Sequence, residues 1–241
     1  MRRNEPVITD TVPGILAMLG ALAFILPSAS AAIVMLTLPT HYRAEWEIPL
    51  TLIIQQVLMI ALSLWHLRGN LEAAWADFGV TARWPLRQIK IGVLAGFGML
   101  VINATGIILS QALAATIFGV QKAQLLFTSE QGRVMGLFQV EKPLPVLLIL
   151  VISVGILAPL AEELFFRAYL YNVFKQRIGA HALWVSSLLF TVVHWYLIHA
   201  LSVFMLGLVL AWVYERSKSL WPAVIAHGTM NILVAIATLS H

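Results

Sequence analysis

Residues 151–174 read VISVGILAPLAEELFFRAYLYNVF, an apolar run that carries two acids and an arginine near its middle. A helix of about 20 apolar residues crosses the hydrocarbon core of a bilayer. A charged side chain at the centre of such a helix costs roughly 2.5–3.5 kcal/mol on insertion scales, so charges of this kind are rare and have partners. Glu162, Glu163 and Arg167 therefore indicate a membrane helix with a function built into it.

The composition indicates that the whole chain belongs in a membrane. Of its 241 residues, 60% are hydrophobic and only 11% are charged, whereas about 25% of the residues of a soluble domain are charged. The formal net charge of +4 is typical of basic loops at the inner membrane face. We therefore expect a lipid bilayer as the surroundings and no nucleic-acid partner. The absence of cysteine excludes disulfides and a cysteine nucleophile.

Apolar segments of spanning length occur seven times, and each must be helical because lipid cannot hydrogen-bond the backbone. We expect an all-α polytopic bundle of seven spans, or eight if a long segment breaks, with residues 1–241 forming one membrane domain. The first segment is longer than the apolar part of a signal peptide, so we expect it to remain as a span. The predicted spans are 13–38, 48–65, 91–120, 144–174, 181–198, 200–214 and 220–239.

Basic residues predict the orientation of the bundle. With a cytoplasmic N-terminus, ten Lys and Arg residues fall in inner segments and four in outer loops, which agrees with the positive-inside rule. Three of the four outer ones lie in residues 121–143, which we expect to be a loop. The main inner loop, residues 66–90, mixes charges with aromatic residues and is predicted to lie at the membrane interface as an amphipathic segment.

Small residues mark the third predicted span. Gly92 and Gly96 form a GxxxG pattern, followed by Gly98. Such a pattern can drive dimerisation, but it also lets helices approach closely within one bundle. We favour packing within the bundle.

Helical spacing separates the three charges of the fourth span. Glu163 and Arg167 are four residues apart with the acid first, the favourable order for an ion pair on one helix face. Glu162 lies about 100° further round the helix and cannot share that arrangement equally. The spacing therefore predicts a structural pair, Glu163 with Arg167, and a second carboxylate, Glu162, that is free for chemistry.

Two later spans each carry a pair of residues with the same spacing, and three of these four residues are polar. Phe190 and His194 are four residues apart on the fifth span, and so are His227 and Asn231 on the last. Polar residues in a membrane can simply hydrogen-bond neighbouring helices. Four polar side chains, namely Glu162, His194, His227 and Asn231, together with a paired arginine instead favour a functional site, because such residues are costly in lipid. We therefore place an active site between the C-terminal helices, where Glu162 meets these side chains.

The cluster is suited to hydrolysis by two routes. A carboxylate can act as general base toward water, one histidine can share the proton, and the other histidine with the asparagine can stabilise an oxyanion. Alternatively, Glu162, His194 and His227 can hold Zn²⁺ with one open position. Other intramembrane hydrolase chemistries are excluded, because the sequence has no HExxH motif, no cysteine and no aspartate within a span.

The order, spacing and placement of these motifs resemble the three-motif signature of the CPBP family, the CAAX-protease and bacteriocin-processing (Abi) intramembrane proteases. The resemblance covers about residues 145–235 and consists of EExxxR from Glu162, FxxxH from Phe190 and HxxxN from His227. One departure is Ala168, where glycine commonly follows the arginine of the first motif.

The resemblance implies a polytopic helical endopeptidase that acts on a membrane-associated peptide or protein in the cell membrane of a prokaryote. Glu162 would be the water-activating base, assisted by His194, and His227 with Asn231 would form the oxyanion side. The family is described both as metalloproteases and as metal-free, glutamate-dependent enzymes, so a site without cofactor and a Zn²⁺ site both stay open. The supporting residues would be Glu163, Arg167 and Phe190.

Functions from two other classes also stay open at this point. A non-catalytic membrane scaffold or bacteriocin-immunity protein would use the polar cluster to bind a partner. A proton-coupled transporter would use it as a proton relay, although the sequence shows none of the internal repeats that many transporters have.

Overall fold

The computed structural model describes residues 11–69, 79, 86–138 and 142–239. All regular structure in this part of the chain is helical, which confirms the all-α prediction. Its α-helices are α1 (Val12–Gly20), α2 (Leu26–Thr37), α3 (Arg43–Gly69), α4 (Leu86–Phe118), α5 (Val120–Phe138), α6 (Leu144–Ile152), α7 (Ala158–Glu163), α8 (Asn172–Ile178), α9 (Ala182–Val192), α10 (Ala200–Ser217) and α11 (Trp221–Leu239). Wider π-helical turns join consecutive helices at Ala21–Ile25, Ser153–Leu157 and Leu164–Tyr171.

Six segments of the described residues are long and apolar enough to cross a membrane, which confirms a multi-pass membrane protein. The fourth of them contains two predicted spans, 144–174 and 181–198. At Gly179 the backbone takes φ +58°, a conformation that suits glycine, and α9 then packs back against α8. The predicted spans 144–174 and 181–198 are therefore two separate segments joined by a turn. The six segments are Val12–Thr37, Thr40–Leu67, Leu86–Phe118, Leu144–Val192, Ala200–Ser217 and Trp221–Leu239.

The helix predicted over residues 181–198 is shorter than expected. α9 ends at Val192 after 11 residues, so it rises only about 16 Å. Residues 193–199 form a turn in which Trp195 has φ +55°, a left-handed conformation that costs a non-glycine residue about 1–2 kcal/mol. His194 therefore lies on this turn, and the prediction that it extends from a helix face was wrong.

Residues 121–143 were expected to form an outer loop, and this prediction was also wrong for most of the segment. Residues 120–138 form α5. Ala123 and Glu130 are buried on it, and the half-buried Phe127 lies between them, with the spacing of one helix face. The helix is too polar to count among the spanning segments, and its apolar face packs against α4 and α11.

Part of the chain lies outside the described residues. Most of the predicted interfacial segment 66–90 lies outside them. Only its two ends, which belong to α3 and α4, and residue 79 are described. Residues 1–10, which carry two of the basic residues used for the orientation, also lie outside it.

The GxxxG pattern of α4 packs within the bundle, as predicted. A Cβ atom at Gly96 would lie 2.8 Å from the Ala226 carbonyl oxygen of α11, and one at Gly92 would lie 2.6 Å from the Ile225 side chain. At Gly106, a Cβ atom would lie 2.7 Å from the backbone of Ser202 in α10. These glycines let α4 lie directly against both C-terminal helices, and α4 thereby forms one side of the space between them.

A second close approach joins α11 to the continuous helix of residues 144–178, which comprises α6, α7, α8 and the π-helical turns between them. A Cβ atom at Gly228 would lie 2.5 Å from the Gly155 carbonyl oxygen. Gly228 follows His227 directly and precedes Asn231 by three residues. The crossing therefore sets the distance between the helix of the first motif and the helix of the third.

We expect Gly228→Ala to destabilise the protein by about 1–3 kcal/mol, because the added methyl group must push the two helices apart. The measurement is thermal unfolding of the purified protein in detergent micelles. Gly98→Ala is the matched control, since a Cβ atom added at Gly98 of α4 would have no neighbouring atom within 4 Å. Equal melting temperatures for the two variants would contradict this account of the crossing.

Candidate active site

A cavity of about 480 Å³ lies between the C-terminal helices, with α3, α4 and α5 closing its sides. Most of its lining is apolar, as with Met99 and Leu206. The residues predicted from all three motifs meet at this cavity, although they come from the 144–178 helix, α9 with its following turn, and α11. Those that line it are Glu162, Phe190, His194, His227 and Asn231.

Glu162 faces both histidines. Its Oε2 lies 3.7 Å from His194 Nε2 and 3.9 Å from His227 Nε2. These separations are too long for direct hydrogen bonds, and Oε2 has no hydrogen-bond partner among the described residues. A water molecule about 2.8 Å from both atoms of either pair fits across such a separation. The arrangement therefore suits a carboxylate that acts on a bound water.

His194 is oriented by the last turn of α9. Its Nδ1 lies 2.6 Å from the Phe190 carbonyl oxygen. A carbonyl can only accept, so Nδ1 carries the proton and donates it. In the neutral imidazole, Nε2 is then an unprotonated acceptor, and it is this atom that faces Glu162.

His227 is oriented in the same way by a side chain. Its Nδ1 donates to Glu163 Oε1 over 3.0 Å, which leaves Nε2 to face Glu162. A carboxylate that binds the far nitrogen of a working histidine fixes both its ring orientation and its tautomer. Sequence spacing assigned Glu163 only to the ion pair, and the structure adds this contact with α11.

The predicted ion pair is present and fully buried. Arg167 Nε lies 3.0 Å from Glu163 Oε2, and the two side chains are 1% and 0% exposed. Arg167 also donates to the Gly207 carbonyl of α10 over 3.2 Å. Its guanidinium carbon lies 4.5 Å from the centre of the Phe190 ring, within the range of a cation–π contact. The charge is therefore compensated from three sides.

Phe190 packs at the centre of the site. Its ring centre is 4.4 Å from that of His194 and 6.0 Å from that of His227. It also makes an edge-on contact with Phe166 at 5.1 Å. Phe190 is 3% exposed, so it separates the buried arginine from the two imidazoles and limits how far either ring can rotate.

Asn231 lines the cavity and is anchored to the 144–178 helix. Its Nδ2 donates to the Val154 carbonyl oxygen over 2.9 Å. Val154 lies in the π-helical turn Ser153–Leu157, and such turns occur often at functional sites. An amide group has two N–H donors, so one remains for a group in the cavity. The role of Asn231 toward an oxyanion stays a prediction.

Within the described ranges, no group of three or more His, Asp or Glu side chains is arranged to hold a metal ion, and this includes Glu162, His194 and His227. The chemistry below is derived from the protein's own groups, and the zinc alternative stays a prediction.

Sequence reasoning missed one carboxylate near the site. Glu130 of α5 is 4% exposed and binds the 193–199 turn. Burial by itself would raise the pKa of this carboxyl, but hydrogen bonds from the His199 ring and from the backbone outweigh it and lower the pKa below its usual value. The spacing of Ala123, Phe127 and Glu130 was the available signal, because it predicts a helix that buries an acid.

Comparison with known proteins found similarity over the part of the chain that carries the cavity-lining motifs. Residues 144–233 match the model of the family described as type II CAAX prenyl endopeptidase Rce1-like. The "UPF0177 protein YxdF" of Lactococcus lactis subsp. lactis (strain IL1403) is 34% identical over 82 residues, which cover 32% of this chain and 44% of that protein. The "Putative membrane peptidase YdiL" of Bacillus subtilis (strain 168) is 32% identical over 92 residues, 38% of each chain. The chain thus spans less than half the length of these relatives, and no solved structure matches it significantly.

We expect Arg167→Met to destabilise the protein by about 3–5 kcal/mol, because it leaves the Glu163 carboxylate buried without its cation. Arg177→Met is the matched control, since Arg177 is exposed at the end of α8. Thermal unfolding in detergent measures both. An Arg167 variant as stable as the Arg177 variant would show that the buried pair does not hold the site together.

Proposed function

We propose that the chain is an intramembrane endopeptidase that hydrolyses a peptide bond with water activated by Glu162 and His194. The match of residues 144–233 to the Rce1-like family model supports the resemblance to the CPBP family. The observation that carries the proposal is the geometry around Glu162. Its Oε2 has no hydrogen-bond partner among the described residues and lies 3.7 Å and 3.9 Å from two imidazole nitrogens. Both imidazoles are fixed through their other nitrogen.

In the first step, Glu162 accepts a proton from the water as the water oxygen attacks the carbonyl carbon of the substrate. His194 assists, because its Nε2 is an acceptor on the same side of the cavity. The π electrons of the carbonyl move onto oxygen and form a tetrahedral oxyanion. When the C–N bond breaks, Glu162 returns the proton to the leaving amine, so the carboxylate is regenerated.

In this proposal, His227 and Asn231 stabilise that oxyanion. Because Nδ1 of His227 already donates to Glu163, the ring can donate into the cavity only from a protonated Nε2. The second N–H of Asn231 supplies another donor.

The lining of the cavity favours an apolar segment of a membrane-associated peptide or protein as substrate. Beside the polar cluster, the walls consist largely of aliphatic and aromatic side chains, and Phe127 and Phe138 of α5 are among them. Apolar walls with a few fixed polar groups are typical of sites that bind by burial and orient by hydrogen bonds. The lipid bilayer would deliver such a segment laterally.

We further propose a prokaryotic cell membrane as the location, with the N-terminus in the cytoplasm. Ten basic residues against four support this orientation. α5 and the 193–199 turn are in direct contact, so they lie at the same end of the bundle. The 144–178 helix and α9 connect them, in agreement with the expected seven spans.

Glu162→Gln should abolish cleavage while the protein stays folded, because the amide has the same shape but cannot accept the proton; loss of a general base typically costs 10²–10⁴-fold. The measurement is cleavage of a peptide library by purified protein in liposomes, read by mass spectrometry. Glu45→Gln, at an exposed position of α3, is the control with the same change of charge. Undiminished cleavage by the Glu162 variant would show that another group is the base. Binding of a library peptide without cleavage by the wild type would point to a scaffold.

Activity should survive removal of divalent metals, since no described three-ligand group fits a metal ion. The test is cleavage after dialysis against EDTA and 1,10-phenanthroline, with elemental analysis of the active sample. Loss of activity that added Zn²⁺ restores would establish the metalloprotease alternative and refute the mechanism given above.

A further inference from the structure

The 193–199 turn, which carries His194, is bound by a carboxylate from outside the three motifs. Glu130 Oε1 accepts hydrogen bonds from the backbone N–H groups of Leu197 at 2.7 Å and Ile198 at 3.1 Å. Its Oε2 accepts from Ile198 N–H at 3.1 Å, from His199 N–H at 3.0 Å and from His199 Nδ1 at 2.9 Å. One buried side chain thus binds three consecutive backbone N–H groups.

These N–H groups directly precede α10, which begins at Ala200. The dipole of a helix favours a negative charge at its N-terminal end. The hydrogen bonds from the turn, together with this dipole, explain why an acid is stable in a buried position there.

The turn needs such support because its backbone is strained. Trp195, next to His194, has φ +55°, and conformations of this kind persist only where the surroundings impose them. Arg133, one turn after Glu130 on α5, donates to the Trp195 carbonyl oxygen over 3.4 Å. Two residues of α5 thus hold the turn, Arg133 at its strained residue and Glu130 at its end.

We infer that Glu130 is a positioning residue of the active site: by holding the backbone of residues 197–199, it keeps His194 Nε2 beside the Glu162 carboxylate. The inference rests on the proposed function. Glu130 acts through the backbone of the turn and has no part in the proton transfers. Burial opposes ionisation of the Glu130 carboxyl, but the hydrogen bonds outweigh this effect and lower its pKa. The carboxyl therefore stays in the ionised form, which accepts all of these bonds.

The test combines kinetics with hydrogen exchange on Glu130→Ala, Glu130→Gln and the wild type. For Glu130→Ala we expect kcat to fall by on the order of 10²-fold, because displacement of a catalytic group by about 1 Å costs that much. KM should change little. Glu130→Gln should be intermediate, since the amide keeps one acceptor oxygen. Glu45→Gln, with the same change at an exposed position, should match the wild type.

Hydrogen exchange measured by mass spectrometry reports on the turn without reference to activity. In the Glu130 variants, amides of residues 197–199 should exchange faster, whereas those of α11 should keep their protection. Unchanged exchange at residues 197–199, or an unchanged kcat despite faster exchange there, would overturn the inference. If Glu130→Ala does not fold, Glu130→Gln decides by the same two readouts, because it preserves the side-chain volume.

The same experiment separates this inference from the proposed function. A wild-type protein that cleaves no peptide would overturn the proposed function, and the catalytic role of Glu130 with it. Cleavage by the wild type, loss of cleavage in Glu162→Gln and full activity in Glu130→Gln would overturn the role of Glu130 alone.

Discussion

The C-terminal half of the bundle depends on the compensation of one buried positive charge. Arg167 is 1% exposed, and a guanidinium cannot give up its proton to reduce the cost. It is matched by Glu163 on the same helix, by the Gly207 carbonyl of α10 and by the face of the Phe190 ring. Because Glu163 also binds His227 of α11, a shift of any of these helices would leave a polar group unpaired in an apolar interior. The requirement to pair one charge thus constrains the relative positions of four segments.

The same constraint explains why two acids are adjacent. Neighbouring residues on a helix point in directions about 100° apart, so one carboxylate can turn into the bundle while the other reaches the cavity. Glu163 uses both oxygens, one for Arg167 and one for His227. The two histidines keep Nε2 directed at Glu162 because Nδ1 of each is already bound. The buried pair therefore organises the site and leaves Glu162 available.

Local spacing in the sequence predicted the contacts that lie within one helix, such as Glu163 with Arg167. It also predicted which segments contribute side chains to the cavity, because charges in an apolar run are conspicuous. Contacts between residues that are far apart in the sequence could not be predicted from spacing. The hydrogen bond between Glu163 and His227, for example, joins residues 64 positions apart. The end of α9 at Val192 was not visible either, since residues on both sides of it are apolar. Beyond that end, Trp195 takes a left-handed conformation and the turn donates backbone hydrogen bonds to Glu130, which belongs to another helix.

α5 was missed for a related physical reason. Because of its polar residues, α5 is less apolar than a membrane span, and its sequence therefore predicted a loop. The helix forms because Ala123, Phe127 and Glu130 share a face that packs on the bundle, a pattern with helical period and mixed polarity. An acid on such a face is informative, since burial of a carboxylate is costly unless donors surround it.

The two histidines are consequently held by different means. His227 lies within α11, and a side-chain carboxylate fixes its ring directly. His194 lies on a strained turn, and its ring is fixed by the Phe190 carbonyl while its backbone depends on contacts from α5. A helix end that carries a working side chain in a membrane must satisfy its backbone groups within the protein. Glu130 accepts the hydrogen bonds of the turn, and Glu163 pairs with the charge of Arg167. Each buried carboxylate therefore supports one side of the candidate site, and Glu162 lies between the two sides.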